Sequence, residues 1–136
     1  MAFKATMSLD GKTYRVYHCN YGFHQGIDSR GHPQSAVSGG TIELELESDG
    51  DLTIANWMLN PDKIYDGSIT IYKRDGEQRM KQIFFKKAFL VSYAESFANF
   101  GDNPMTERIT ISANEVQIEN SKGQQEVHKN NWPDKG

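Results

Sequence analysis

At 136 residues, with no stretch composed like a linker, the chain has the length of one domain and can bury about two thirds of the surface its unfolded form exposes. A formal net charge of −3, a pI near 5.8 and scattered Lys and Arg exclude the electrostatic footprint of a nucleic-acid binder. The single Cys19 excludes an internal disulfide, and no run of 18 apolar residues offers a membrane-spanning helix.

The chain enters alternation directly. Phe3, Ala5, Met7 and Leu9 alternate with Lys4, Thr6 and Ser8, with no apolar run of signal-peptide length before them. Nothing signals an oxidising compartment, and any export is expected by a route needing no cleavable signal. Asp10-Gly11 predicts a hairpin to a second strand, because that two-residue turn needs positive φ at both central positions. On the second strand Tyr14 and Val16 share one parity, while Tyr17, Cys19, Tyr21 and Phe23 share the other. Such a phase flip requires an extra residue, so a bulge is expected near Val16–Tyr17. Cys19 shares its strand face with Tyr17 and Tyr21, which predicts a buried thiol rather than a nucleophile.

From Gly26 to Gly40 the apolar pattern disappears among Gly, Ser, Pro and charge, and a long loop is expected. Loops beyond about 12–15 residues are usually functional or ordered by a partner. The stretch from Gly39 to Asp75 reads as strand, turn, helix, turn, strand. Ile42, Leu44 and Leu46 alternate with Thr41, Glu43, Glu45 and Glu47. The Ser48-Asp49-Gly50-Asp51 cluster ends that strand, and Asp51 is placed to cap a helix of about nine residues. Its core residues are Ile54, Trp57 and Met58, with Leu52, Ala55 and Leu59 widening the stripe, and Pro61 stops it. A helix this short is marginal alone and must be docked.

Ile69 and Ile71 resume the alternation, and Asp75-Gly76 marks the next turn. A longer loop through Met80 is expected, placing Ile71 opposite Ile83 and Ile69 opposite Phe85, because burial constrains register more firmly than a turn dipeptide. Met80 to Phe97 reads as β throughout, too long for one straight strand, with a bend expected at Lys86–Lys87. A second loop covers Ala98 to Thr106. The last strand flips from Ile109, Ile111 and Ala113 to Val116 and Ile118, and the polar remainder from Asn120 to Gly136 reads as a tail, frayed or pinned by Trp132 alone. The domain is therefore drawn as 1–119, with the tail as 120–136.

No familiar catalytic or metal pattern appears. His18 and His24 lie about 20 Å apart along an unbroken strand, too far to share an ion. Asp28, Ser29 and His32 hold the residue types of a triad, but on one flexible loop they lack the rigid support catalysis needs. Glu43, Glu45 and Glu47 stand too far apart for one cation and read as a solvated or Lys-facing surface. Tyr65, Tyr72, Phe97 and Phe100 read as core or subunit-contact aromatics rather than a sugar platform. On chemistry alone this is a β-rich domain with no enzyme, no cofactor and no metal.

Several stretches resemble one family. The opening MAFKATMSLDGKTY, the segment CNYGFHQGIDSRGHPQSAVSGGTIELELES, the helix ending WML, the segment ITIYKRDGE, and above all ESFANFGDNPMT followed by ITISA are similar to Hcp, the tube protein of type VI secretion systems, in its Bacteroidetes-type TssD form. The resemblance runs from Met1 to about Pro133, departing at Glu107–Arg108 and in a longer tail from Ser121 to Asn131. It implies a mainly β fold, a small β-barrel of two antiparallel sheets with one short α-helix at its side. It also implies hexameric rings that stack into a tube inside a contractile sheath, assembled in the cytoplasm and then secreted, with spike, baseplate and luminal effector proteins as partners, and no catalysis. Carried onto this chain, the ring or stacking contact falls on Asp28, Ser29, Arg30, His32, Pro33, the Gln34–Ser35 pair and Val37. A second contact falls on Gly101, Asp102, Asn103, Pro104 and Met105. The competing reading is a non-assembling barrel that binds a small ligand or carbohydrate, which would need a concave apolar pocket.

Overall fold

The computed structural model describes residues 4–73, 78–101, 105–130 and 132. Strands β1 (Ala5–Leu9) and β2 (Lys12–Tyr21) form the first hairpin. Asp10 and Gly11 both take positive φ, 50° and 77°, and Leu9 pairs with Lys12, as the turn dipeptide requires. The ladder from β2 to β3 (Thr41–Glu47) shifts by one residue between Val16 and His18, so the phase flip is a bulge at the expected place.

Four further strands complete the sheet: β4 (Tyr65–Tyr72), β5 (Arg79–Phe97), β6 (Met105–Asn120) and β7 (Gln125–Lys129). Their order is β3-β2-β1-β4-β5-β6-β7, and a further pairing of β3 with β6 closes six strands into an antiparallel barrel. One edge of β6 serves two neighbours, with Thr106–Ser112 on β3 and Glu115–Glu119 on β7. Met7, Leu44, Leu46, Ile69, Phe85 and Ile111 are among the side chains that fill the interior.

Helix α1 (Thr53–Leu59) has seven residues and packs against β5. Ile54 and Trp57 are buried and Met58 is half-buried against the core. Trp57 meets Tyr65 edge-on at 5.1 Å, and its Nε1 donates to the Lys63 carbonyl at 3.1 Å. The apolar stripe is narrower than expected: Leu52 and Leu59 are 73% and 80% exposed, because a single short helix lying on one strand has only one covered face. Leu52 precedes the helix and cannot cap it; Asp51, one residue back, accepts from the Thr53 N–H at 3.1 Å.

Two expectations need correction. Between β4 and β5, Ile69 faces Ile83 and Ile71 faces Lys81, two residues tighter than the burial-based register. An irregularity between Ile71 and Tyr72 absorbs one residue, so buried parity survives while Lys73 N–H reaches Gln78 O at 2.7 Å. The Asp75-Gly76 turn itself lies outside the described residues. The polar tail expected from Asn120, frayed or pinned by Trp132 alone, instead makes a turn into β7, held by the ladder to β6; Trp132 does meet Phe89, at 5.7 Å, but is not the sole anchor. Gln125–Lys129 carries little apolar character, so backbone pairing rather than burial forms this strand.

The bend in β5 is where the charge pair suggested. Lys87 takes φ 50°, and its N–H donates to Asp66 Oδ1 at 2.8 Å. Both long strands change face here, β5 from Ile83 and Phe85 to Ala88 and Leu90, and β6 from Ile111 and Ala113 to Val116. Lys86 opposite Glu115 and Ala88 opposite Ala113 keep one register across the bend. Lys87 and Asn114 are the inserted residues, one on each strand.

Candidate assembly surfaces

The segment between Tyr21 and Thr41 is an arm rather than a structureless loop. His24 and Ser38 exchange both backbone hydrogen bonds, at 2.9 and 2.7 Å, and Gln34 N–H donates to Gly26 O at 2.9 Å. At the tip Asp28 N–H donates to His32 O, while Asp28 Oδ1 accepts from Arg30 N–H at 2.9 Å and from His32 N–H at 3.0 Å. Those bonds give Asp28 the role of a turn former. The triad types Asp28, Ser29 and His32 therefore share a turn with no orienting support behind it. Every side chain from Ile27 to Ser38 is exposed, Ile27 by 62% and Val37 by 43%.

The base of the arm is clamped to the barrel. Phe23 lies over Gly39, where any Cβ would collide with its ring, and meets His128 of β7 edge-on at 5.3 Å. Gly40 takes φ 94°, with Ala113 O where a Cβ would project. Asn130 Nδ2 donates to Gly39 O at 2.9 Å and to Ala113 O at 3.0 Å, so β7 holds the arm as well as the sheet.

The second expected contact region lies at the far end of β5 and β6. Gly101 and Met105 flank it; Asp102, Asn103 and Pro104 lie outside the described residues. Phe97 and Phe100 are 72% and 79% exposed here. Met105 O accepts from Ser48 N–H at 3.2 Å, which brings the end of β3 alongside. Ser48 Oγ lies 2.7 Å from Glu95 Oε2 and 3.3 Å from Glu107 Oε1, and Glu95 and Glu107 face each other across the ladder. A hydroxyl has one proton, so it cannot donate to both carboxylates. Glu107 is only 3% exposed; burial pushes its carboxyl above the ordinary range, the Ser48 bond opposes this, and the charges of Glu95 and Asp49 add to it.

The outer face of β3 is a lattice of polar contacts. Arg108 Nε pairs with Glu45 at 3.0 Å, Arg15 lies 3.9 Å from Glu47, and Tyr17 OH donates to Glu47 at 2.8 Å. Of the acidic row, Glu45 and Glu47 are thus matched by arginines and a tyrosine rather than by lysine, while Glu43 is exposed. Cys19 is half-buried against the core, and desolvation pushes its thiol up to about 11, so thiolate is scarce at neutral pH. Among the described residues no cluster of His, Cys, Asp or Glu is arranged to hold a metal ion. Tyr65 lies against Trp57 and Tyr72 under Lys4, at opposite ends of β4 and away from Phe97 and Phe100, so the four aromatics form no common platform.

The sequence gives no hint of one concave surface, because its residues are distant in the chain. Lys73 after β4, and Arg79 and Lys81 at the start of β5, share a basin with Lys122 from the β6–β7 turn.

The family model for hemolysin coregulated protein Hcp (TssD) matches residues 1–133. The chain belongs to the TssD family. Hcp1 from Flavobacterium johnsoniae is similar over 93% of this chain and 100% of its own, with 32% identity and a TM-score of 0.82. Hcp1 from Salmonella typhimurium covers 93% of each chain at 14% identity with a TM-score of 0.74. The secreted protein Hcp3 from Pseudomonas aeruginosa covers 93% of this chain and 99% of its own at 10% identity, with a TM-score of 0.69. The last two show the shared fold alone. Among curated proteins none matches. As a TssD-family protein the chain is a subunit of the type VI secretion tube, and the barrel, the arm and the two barrel ends acquire an assembly context. Among the described residues no helix is long and apolar enough to cross a membrane.

Proposed function

We propose that six copies of this chain close into a ring and that rings stack into the inner tube, with the arm from Asp28 to Val37 and the loop from Gly101 to Met105 as contacts between copies. The observation that carries this reading is the arm. It is organised by its own hydrogen bonds, yet every side chain from Ile27 to Ser38 stays exposed, and only Val37 leans toward the barrel, beside Ile118 and Val127. Ordering backbone costs about 1–2 kcal/mol per residue, and exposed Ile27 and Val37 return part of that only when a neighbouring copy covers them.

The small-ligand alternative lacks a chamber, since Trp57, Ile54 and Leu44 are buried within the core. The family role supports a contractile sheath, spike and baseplate proteins as partners, effectors in the ring lumen, and release through the secretion machine without a cleavable signal. We assign the chain no catalytic step.

Native mass spectrometry and electron microscopy test the reading. Six chains of 15.4 kDa give a species near 92 kDa. Replacing Asp28–Val37 with a short Gly-Ser linker should leave the barrel folded and weaken assembly, with longer stacks lost first. A wild type that stays at 15.4 kDa at high concentration would refute it.

A further inference from the structure

Among the described residues, the two ends of the barrel carry opposite charge. At one end, Lys73, Arg79, Lys81 and Lys122 line the basin, and the one carboxylate there among the described residues, Glu119, already accepts from Gln117 at 2.9 Å and from Gln125 at 2.6 Å. Among the described residues none of the four cations is in an ion pair; Arg79 donates to Gln82 and Lys73 to Gln78. At the other end Asp49 and Glu95 are exposed beside Phe97 and Phe100, while nearby Lys12 is taken by Asp51 at 3.0 Å and Arg15 by Glu47.

These surfaces cannot meet within one subunit. Lys81 faces Asn120 at one end of the β5–β6 ladder and Phe97 faces Met105 at the other. The 19 residues of β5 would span about 60 Å if straight, and remain tens of ångströms long when bent. Complementary patches at opposite ends of one molecule make a heterologous contact, which closes into a ring where successive copies rotate and runs on as an open stack where they do not.

We propose that the basin formed by Lys73, Arg79, Lys81 and Lys122 receives the Asp49, Glu95, Phe97 and Phe100 end of a second copy, giving the stack its polarity and a salt-sensitive joint. Cations can pair with the carboxylates and lie over the two exposed rings, whose faces attract positive charge. The proposal rests on the ring-and-stack reading and adds which surfaces join one ring to the next.

The experiment uses full-length rings. Raising NaCl from about 50 mM to about 500 mM should increase roughly tenfold the ring concentration needed for half-maximal stacking, while the ring species persists. Lys81→Glu with Lys122→Glu, and separately Asp49→Lys with Glu95→Lys, should each form rings that fail to stack. Mixing the two preformed variant rings should restore stacks, which misfolded protein could not do. Rings whose stacking ignores salt and both double substitutions overturn this proposal alone. Absence of rings at every salt concentration overturns it together with the ring-and-stack reading.

Discussion

Glu107 shows how one side chain can carry a pH dependence for the whole barrel. Its folded carboxyl lies above the ordinary value of 4.5, so between those two values the native state keeps a proton that the unfolded chain has released. Its contribution is therefore complete below about 4.5 and declines as pH rises through the folded value. Asp51 has the opposite sign: bonds from Thr53 and then Lys12 depress it, so its contribution holds above 3.8 and is lost in stronger acid. Glu107→Gln should raise the denaturant midpoint relative to wild type at pH 8 and leave it nearly unchanged at pH 4; an equal difference at both would rule out the proton linkage. Trp57 acts through volume instead. Trp57→Ala should cost about 3–5 kcal/mol in urea titration, and a loss below about 1 kcal/mol would mean the indole is not a core anchor.

Among the elements, β7 has the most to do for its size. It covers the β6 edge at Glu115–Glu119, and through Asn130 and His128 it steadies the base of the arm. Truncation after Asn120 should speed amide exchange at Glu115–Glu119 and also at His24 and Ser38; acceleration confined to β6 would show that the arm stands without it. This strand was hidden in the sequence because Gln125, Glu126 and Lys129 are exposed and Val127 points largely to solvent, leaving no period to read. The β2 bulge was legible for the opposite reason, since Val16 and Cys19 both approach the core from incompatible parities. Glu107 was half legible. It shares parity with buried Ile109 and Ile111, yet its charge drew attention away from the inward face. The cationic basin was not legible at all, because Lys81 and Lys122 meet only through the β5–β6 ladder.

For the molecule as a whole, the exposed aromatic end separates folding from assembly. Phe97 and Phe100 contribute little burial within one subunit, so Phe97→Ser with Phe100→Ser should change monomer stability by no more than about 0.5 kcal/mol. The same change should weaken association, read by sedentation-independent mass measurement such as native mass spectrometry across a concentration series. A large loss of monomer stability with association unchanged would place these rings in the fold rather than in the contact.

The paired insertions at Lys87 and Asn114 govern which changes of chain length the barrel can accept. Removing Lys87 alone would straighten β5 but shift every pair on one side of the bend against β6, turning buried residues such as Ile83 and Phe85, or Ala88 and Leu90, out of step with their partners. Removing Asn114 alone does the reverse. Removing both restores unbroken alternation on each strand and one register between them, at the expense of the bend at which the β6 edge passes from β3 to β7. Length variation in these two strands is therefore compensatory: a deletion in one is tolerable only in company with a deletion in the other.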